Sequence, residues 1–191
     1  MPAPATPQPC LCHRAPVLLL LLPALAAALA CTDLRTQQSA FNGDSLQLLR
    51  TMAPKRTLLC HQHHANFSFP DTLLADGDPQ QATATILRIL RHLWNTLNNE
   101  SIPDHWDRHA HQQLLNKLDH QIQQLQECLT DSTVLSKGQG PRNSRLTINT
   151  YFRRIRHFLR THSHSSCAWD IVRLQLHTCF QHIDKLTRRI Q

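Results

Sequence analysis

Residues Trp169-Asp170-Ile171-Val172-Arg173-Leu174-Gln175-Leu176-His177-Thr178-Cys179-Phe180-Gln181-His182-Ile183-Asp184-Lys185-Leu186 carry apolar side chains at 169, 172, 176, 179, 180, 183 and 186. Steps of three and four residues bring such side chains onto one side of a helix, whereas a half-buried strand would alternate. Ile190 continues the stripe. The opposite side is polar, so this helix must bury its stripe against other elements.

The same periodicity recurs upstream. Ile148, Tyr151, Phe152, Ile155, Phe158 and Leu159 mark a helix that the polar run Thr161 to Ser166 separates from the last one. Trp106, Ala110, Leu114, Leu118, Ile122, Leu125 and Leu129 mark another, entered through Pro103. Ala82, Ile86, Ile89, Leu90, Leu93 and Leu97 follow Asp78-Pro79, a natural N-cap and first-turn pair, and that helix ends near Asn99. A first helix is expected to start near Asp44 or Ser45, carry Leu46, Leu49 and Met52, and stop before Pro54. The four glycines, Gly43, Gly77, Gly138 and Gly140, fall where the periodicity breaks and read as turn positions. Residues 54–77 and 130–146 are long connections after the first and third helices. The expected fold is all-α: a cytokine-type bundle of five helices with long crossover connections.

Residues 1–30 differ from the rest. Arg14 precedes the apolar run Val17 to Leu22, an Ala/Leu stretch and the small-residue pattern Ala28-Leu29-Ala30, the composition of a secretory signal peptide. Pro16 and Pro23 interrupt the stretch, and its apolar core is short for a membrane span. The expected domains are therefore a signal peptide, 1–30, and a helical domain, 31–191. No later segment is apolar enough for membrane insertion. The 161 residues from Cys31 hold 19 Lys and Arg against 13 Asp and Glu, a net charge of +6 with neutral histidines.

Secretion makes disulfides the default for Cys31, Cys60, Cys128, Cys167 and Cys179, in arrangements that arithmetic alone leaves open. Two sequons, Asn66-Phe67-Ser68 and Asn99-Glu100-Ser101, make Asn66 and Asn99 glycosylation candidates. The chain has no phosphate loop, nucleophile elbow or His-Glu-x-x-His motif, so neither enzyme chemistry nor a cofactor is expected. His105 and His109 stand four apart, as a metal pair could, but no Cys or Glu spacing completes a set, and the better reading is a solvated helix face without metal.

From Ser132 to Trp169 there is no Asp or Glu, while Lys137, Arg142, Arg145, Arg153, Arg154, Arg156 and Arg160 are all present. This stretch raises an alternative function, a secreted helical protein binding glycosaminoglycans such as heparan sulfate. Helical spacing spreads the arginines around the fourth helix, which favours solvated charge. Nucleic acid is not expected, because Tyr151, Phe152 and Phe158 belong to the apolar stripe and are unavailable for base stacking.

Tyr151-Phe152-Arg153-Arg154-Ile155, then Phe158-Leu159, then Cys167-Ala168-Trp169 after seven residues, resemble the signature of type I interferons. The similarity extends to Asp44-Ser45-Leu46-Gln47-Leu48-Leu49-Arg50 and to Cys128. The first helix and the many histidines look most like alpha interferons of birds.

The resemblance implies bonds Cys31–Cys128 and Cys60–Cys167, with Cys179 left as a buried thiol; each would close a loop on the order of a hundred residues, worth about 4 to 5 kcal/mol before strain. It also implies a secreted cytokine that bridges two receptor chains and starts JAK-STAT signalling and antiviral defence. The higher-affinity chain would be met by the first loop, at His61 and His64, and by Arg173, Leu174, His177 and Gln181 on an exposed side of the last helix. The loop sequence His61-Gln62-His63-His64 departs from the mammalian pattern, which puts the loop contacts in doubt. Trp94 and Asn95 align with positions that meet the lower-affinity chain, although Trp94 could equally pack at the core edge.

Overall fold

The computed structural model describes residues 31–53, 60, 67–74, 78–130 and 142–190. The signal-peptide reading of 1–30, with Cys10 and Cys12, lies outside them, as do His61, His64, Asn66 and Lys137. Five α-helices, and no strand, occur among the described residues: α1 Leu34–Met52, α2 Pro79–Leu97, α3 Arg108–Thr130, α4 Arg142–Thr161 and α5 Ser166–Thr187. A 3₁₀ turn, Asp71–Leu74, interrupts the first long connection.

The stripe of α5 is the centre of the core. Trp169, Val172, Leu176, Cys179, Phe180 and Ile183 have no solvent exposure, and α5 packs against α1, α2 and α4. The edge-to-face pair Trp106–Trp169, with centroids 5.5 Å apart, closes one part of the core, and Phe41 meets Phe180 at 6.3 Å. Burying each such side chain contributes about 1.5 to 3 kcal/mol. Cys179 is sealed among them, 3.7 Å from the Tyr151 hydroxyl, and burial pushes its thiol pKa up to about 12, leaving it protonated and inert.

Local chemistry sets the helix ends. Asp78 accepts from the Gln80 amide at 3.0 Å with Pro79 in the first turn, as the sequence predicts for α2. Asp107 accepts from the Ala110 amide and donates its own amide to the Met52 carbonyl, both at 2.8 Å, tying the start of α3 to the end of α1. Ser165 caps α5 through the Ala168 amide.

Three starts differ from expectation, those of α1, α3 and α4: α3 begins at Arg108, so Trp106 of the expected stripe and His105 beside it precede the helix. α1 begins at Leu34, ten residues before Asp44, and Gly43 lies inside it rather than in a turn. The early part of its buried face includes Gln38, Asn42 and Ser45, which keep helical spacing without being apolar. Gln38 is served across the bundle by Gln121 Nε2 at 3.0 Å, and Gln124 donates to Gln37 beside it. α4 begins at Arg142, inside the expected connection 130–146, because its first turns are polar apart from Leu146, which is 62% exposed.

The disulfides in the structure are Cys31–Cys128 and Cys60–Cys167, spanning 97 and 107 residues. The first ties the start of α1 to the end of α3. The second fastens the α1–α2 connection to the first turn of α5. Between α4 and α5 the Ser163 amide donates to the Arg160 carbonyl and the His164 amide to the Leu159 carbonyl, a Schellman ending. Ser163 has φ 50° and His164 φ 51°, so two residues with side chains occupy the left-handed region.

Two opposite substitutions should therefore both stabilise the fold. Gly43 is exposed, and a Cβ built there meets nothing within 4 Å, so Gly43→Ala is expected to add about 0.5 to 1 kcal/mol. Ser163→Gly relieves a left-handed L-residue and should add about 1 kcal/mol. Urea midpoints of the two variants check both; a fall for either would remove its backbone explanation.

Candidate receptor-binding face

The solvent side of α5 is narrow because the helix is packed on several flanks. Leu174, 46% exposed, and Gln181 lie on it, and His177 is half-buried at its margin. Arg173 is different from the expectation of an exposed side. It is only 8% exposed, sunk at the seam, because it follows Val172 on the edge of the apolar stripe. Its Nε is buried without a hydrogen-bond partner, and no carboxylate pairs with the guanidinium among the described residues.

Positive charge gathers around this seam. Arg50, near the end of α1, and Arg173 both act on His177, and together with burial, the largest cause, they hold the imidazole below its ordinary pKa. His177 is thus neutral at physiological pH. Arg50 was not among the sequence candidates; only the packing of α1 on α5 brings it there.

On the other flank of α5, Phe69 stacks on His182 with centroids 3.9 Å apart and meets Tyr151 edge-on at 5.2 Å. Phe67 meets Phe158 edge-on, and Leu73 is buried. The long connection between α1 and α2 is therefore anchored by Cys60, Phe67, Phe69 and Leu73. The apolar pair at 67 and 69 was the available signal. Exposed Leu146 lines an adjoining groove of about 280 Å³ with Ser68, Pro70, Thr150 and Arg154.

On α2, Trp94 is half-buried against the core and Asn95 is exposed. Asn95 shares a small groove with Asn99, Arg156, Arg160 and His164. Asn99 is exposed and accepts from the amide and hydroxyl of Ser101, so its sequon forms a surface turn. His105 and His109 do not converge: His105 lies 3.4 Å from buried Asp170, which also accepts from the Trp106 indole, and His109 contacts Gln113. No group of three metal-ligating residues occurs among the described residues. No described helix is long and apolar enough to cross a membrane.

A family model, the interferon alpha/beta domain, matches residues 34–190. The chain belongs to the interferon alpha/beta family. It is 44% identical to interferon type B of chicken, Gallus gallus, over 91% of this chain and 88% of that protein. It is likewise 44% identical to an interferon of turkey, Meleagris gallopavo, over 98% of each chain. Among solved structures, zebrafish interferon 1 superposes with a TM-score of 0.70 at 19% identity, over 83% of this chain and 99% of that one, a likeness of fold. As a member of this family the chain is a type I interferon cytokine and not an enzyme.

The histidines of this interferon predict its acid behaviour. Burial is the largest cause lowering the pKa of His92, His111, His177 and His182. A folded-state pKa below the unfolded one means that the unfolded chain takes protons first as pH falls. Stability is then fully present above about pH 6.5 and declines below it. The urea midpoint should fall as pH drops below about 6.5, and His92→Phe, which keeps a ring stacked on Phe152, should reduce the drop. A midpoint unchanged across this range in the unmutated protein would contradict the assignment.

Proposed function

We propose that this interferon is made with residues 1–30 as a signal peptide, secreted as the domain 31–191, and bridges two receptor chains at the cell surface, starting JAK-STAT signalling and antiviral transcription. Family membership supports the bridging mechanism. The single structural observation that supports the higher-affinity face is Arg173. A buried guanidinium Nε without an acceptor is unfavourable in the free chain. A receptor carboxylate seated over the seam would supply the missing partner in a site already shielded from water, where a charge-assisted hydrogen bond is strong.

Leu174 supplies apolar surface next to that charge, and Gln181 and His177 supply polar rim contacts. His61 and His64, which follow Cys60 in the chain, are the contacts expected from the α1–α2 connection. Trp94 and Asn95 of α2 meet the lower-affinity chain. Once one chain is held, the second binds at the effective concentration of a shared membrane, so a weak second contact suffices. Asn66 and Asn99 are the glycan attachment sites, and the surface turn at Asn99 is accessible to modification.

Arg173→Ala is expected to weaken binding to the higher-affinity chain by at least about 1 kcal/mol. The melting temperature should change little, since removing the unsatisfied Nε offsets the lost packing of the aliphatic stem. Surface plasmon resonance and a thermal melt decide it; an unchanged dissociation constant would return Arg173 to a purely structural role. Bridging itself is tested with an antiviral-transcription reporter in cells lacking either receptor chain. A full response in either knockout would overturn it.

A further inference from the structure

The distribution of charge between α2 and α4 is one-sided. All thirteen carboxylates of the chain lie outside Pro79–Leu97 and Arg142–Thr161, while these two helices hold eight arginines. Because Tyr151, Phe152, Ile155 and Leu159 bury one half of α4, the arginines that helical spacing distributes around it share the other half. Arg145, Arg153, Arg154 and Arg160 are exposed and Arg156 is half-buried. The arginines are solvated, as expected, and the burial of the other half confines them to the outward side of α4.

The two helices join their charges. They pack together, and His92 Nε2 bonds Asn149 Oδ1 across the contact at 2.8 Å. Arg145 and Arg91 both add to the burial that lowers the Arg88 pKa, so those three cations lie within reach of one another. Arg156 and Arg160 line the groove beside Asn95, and Arg160 also lines a larger open groove of about 490 Å³ with Arg153, Arg154 and His157. Arg88, Arg91, Arg154, Arg156 and Arg160 have no ion pair among the described residues. From Arg145 to Arg160 the band runs about 22 Å along the helix.

We propose that this α2–α4 face binds a sulfated glycosaminoglycan. Arginines spread along two packed helices that contain no carboxylate match a linear polyanion rather than a single charged ligand. Guanidinium groups offer paired donors that can bond two oxygens of one sulfate. A nucleic acid would be expected to use aromatic rings as well, but Tyr151 and Phe152 are buried and Phe158 is packed against Phe67. Binding here would hold the protein in the matrix around the producing cell and release it as salt screens the charges.

The test uses the full chain on immobilised heparin, with dissociation constants for a heparin fragment measured over a range of salt. The unmutated protein should elute above physiological ionic strength, about 0.15 M. The triple variant Arg153→Gln, Arg156→Gln, Arg160→Gln should elute earlier, with the slope of log Kd against log salt reduced by about 2 to 3. Arg88→Gln with Arg91→Gln on α2 gives an independent arm expected to move the same way. A control of equal charge loss elsewhere, Arg35→Gln, Lys185→Gln, Arg188→Gln, should leave the slope near that of the parent. Melting curves show whether each variant is folded. Elution of the parent at or below physiological salt, or equal shifts for the control and the α4 triple, would overturn the proposal. Equal retention of the parent on desulfated heparin would overturn it too, and stronger retention on double-stranded DNA would reassign the face to nucleic acid.

Discussion

The apolar stripe of α5 has to be buried, and three helices close over it to do so. Trp169, Val172, Leu176, Phe180 and Ile183 give α1, α2 and α4 a common surface. Removing any one of these side chains would open a cavity that the flanking helices could not fill without shifting. The same burial limits what α5 can offer a partner. Only a strip containing Leu174 and Gln181 remains open, and Arg173 is caught between that strip and the core. Core and proposed receptor face are two sides of one helix, so neither can be altered far without affecting the other.

The parts of the fold that were legible in the sequence are those where burial and apolarity coincide. The stripes of α2, α3 and α5 use aliphatic and aromatic residues almost throughout, and their helices cover them except for Trp106 and Ile190, which lie just outside α3 and α5. The first half of α1 was not legible because its inward positions are Gln38, Asn42 and Ser45. Gln38 is stabilised by Gln121 from α3, a partner 83 residues away that no local pattern reveals. Gly43 added to the misreading, since a glycine inside a helix and a glycine in a turn look alike without the tertiary contacts.

On α5 the exposure of the expected contacts was partly legible in the sequence, and their environment was not. Leu174 and Gln181 are exposed as helical position requires. The burial of Arg173 and the approach of Arg50 depend on how α1 lies across α5, which spacing within α5 does not encode. On α4 the same limitation worked in reverse. Sequence spacing disperses the arginines, and only the burial of the opposite half of the helix gathers them on one face.

The bond between Cys60 and Cys167 has a mechanical consequence. Cys60 fixes one end of the stretch 61–66, and the packing of Phe67 and Phe69 fixes residues just beyond its other end. A pull on the connection is therefore shared between one covalent attachment at Cys60 and the ring contacts of Phe67 and Phe69, and opening the bond would put the whole load on the rings.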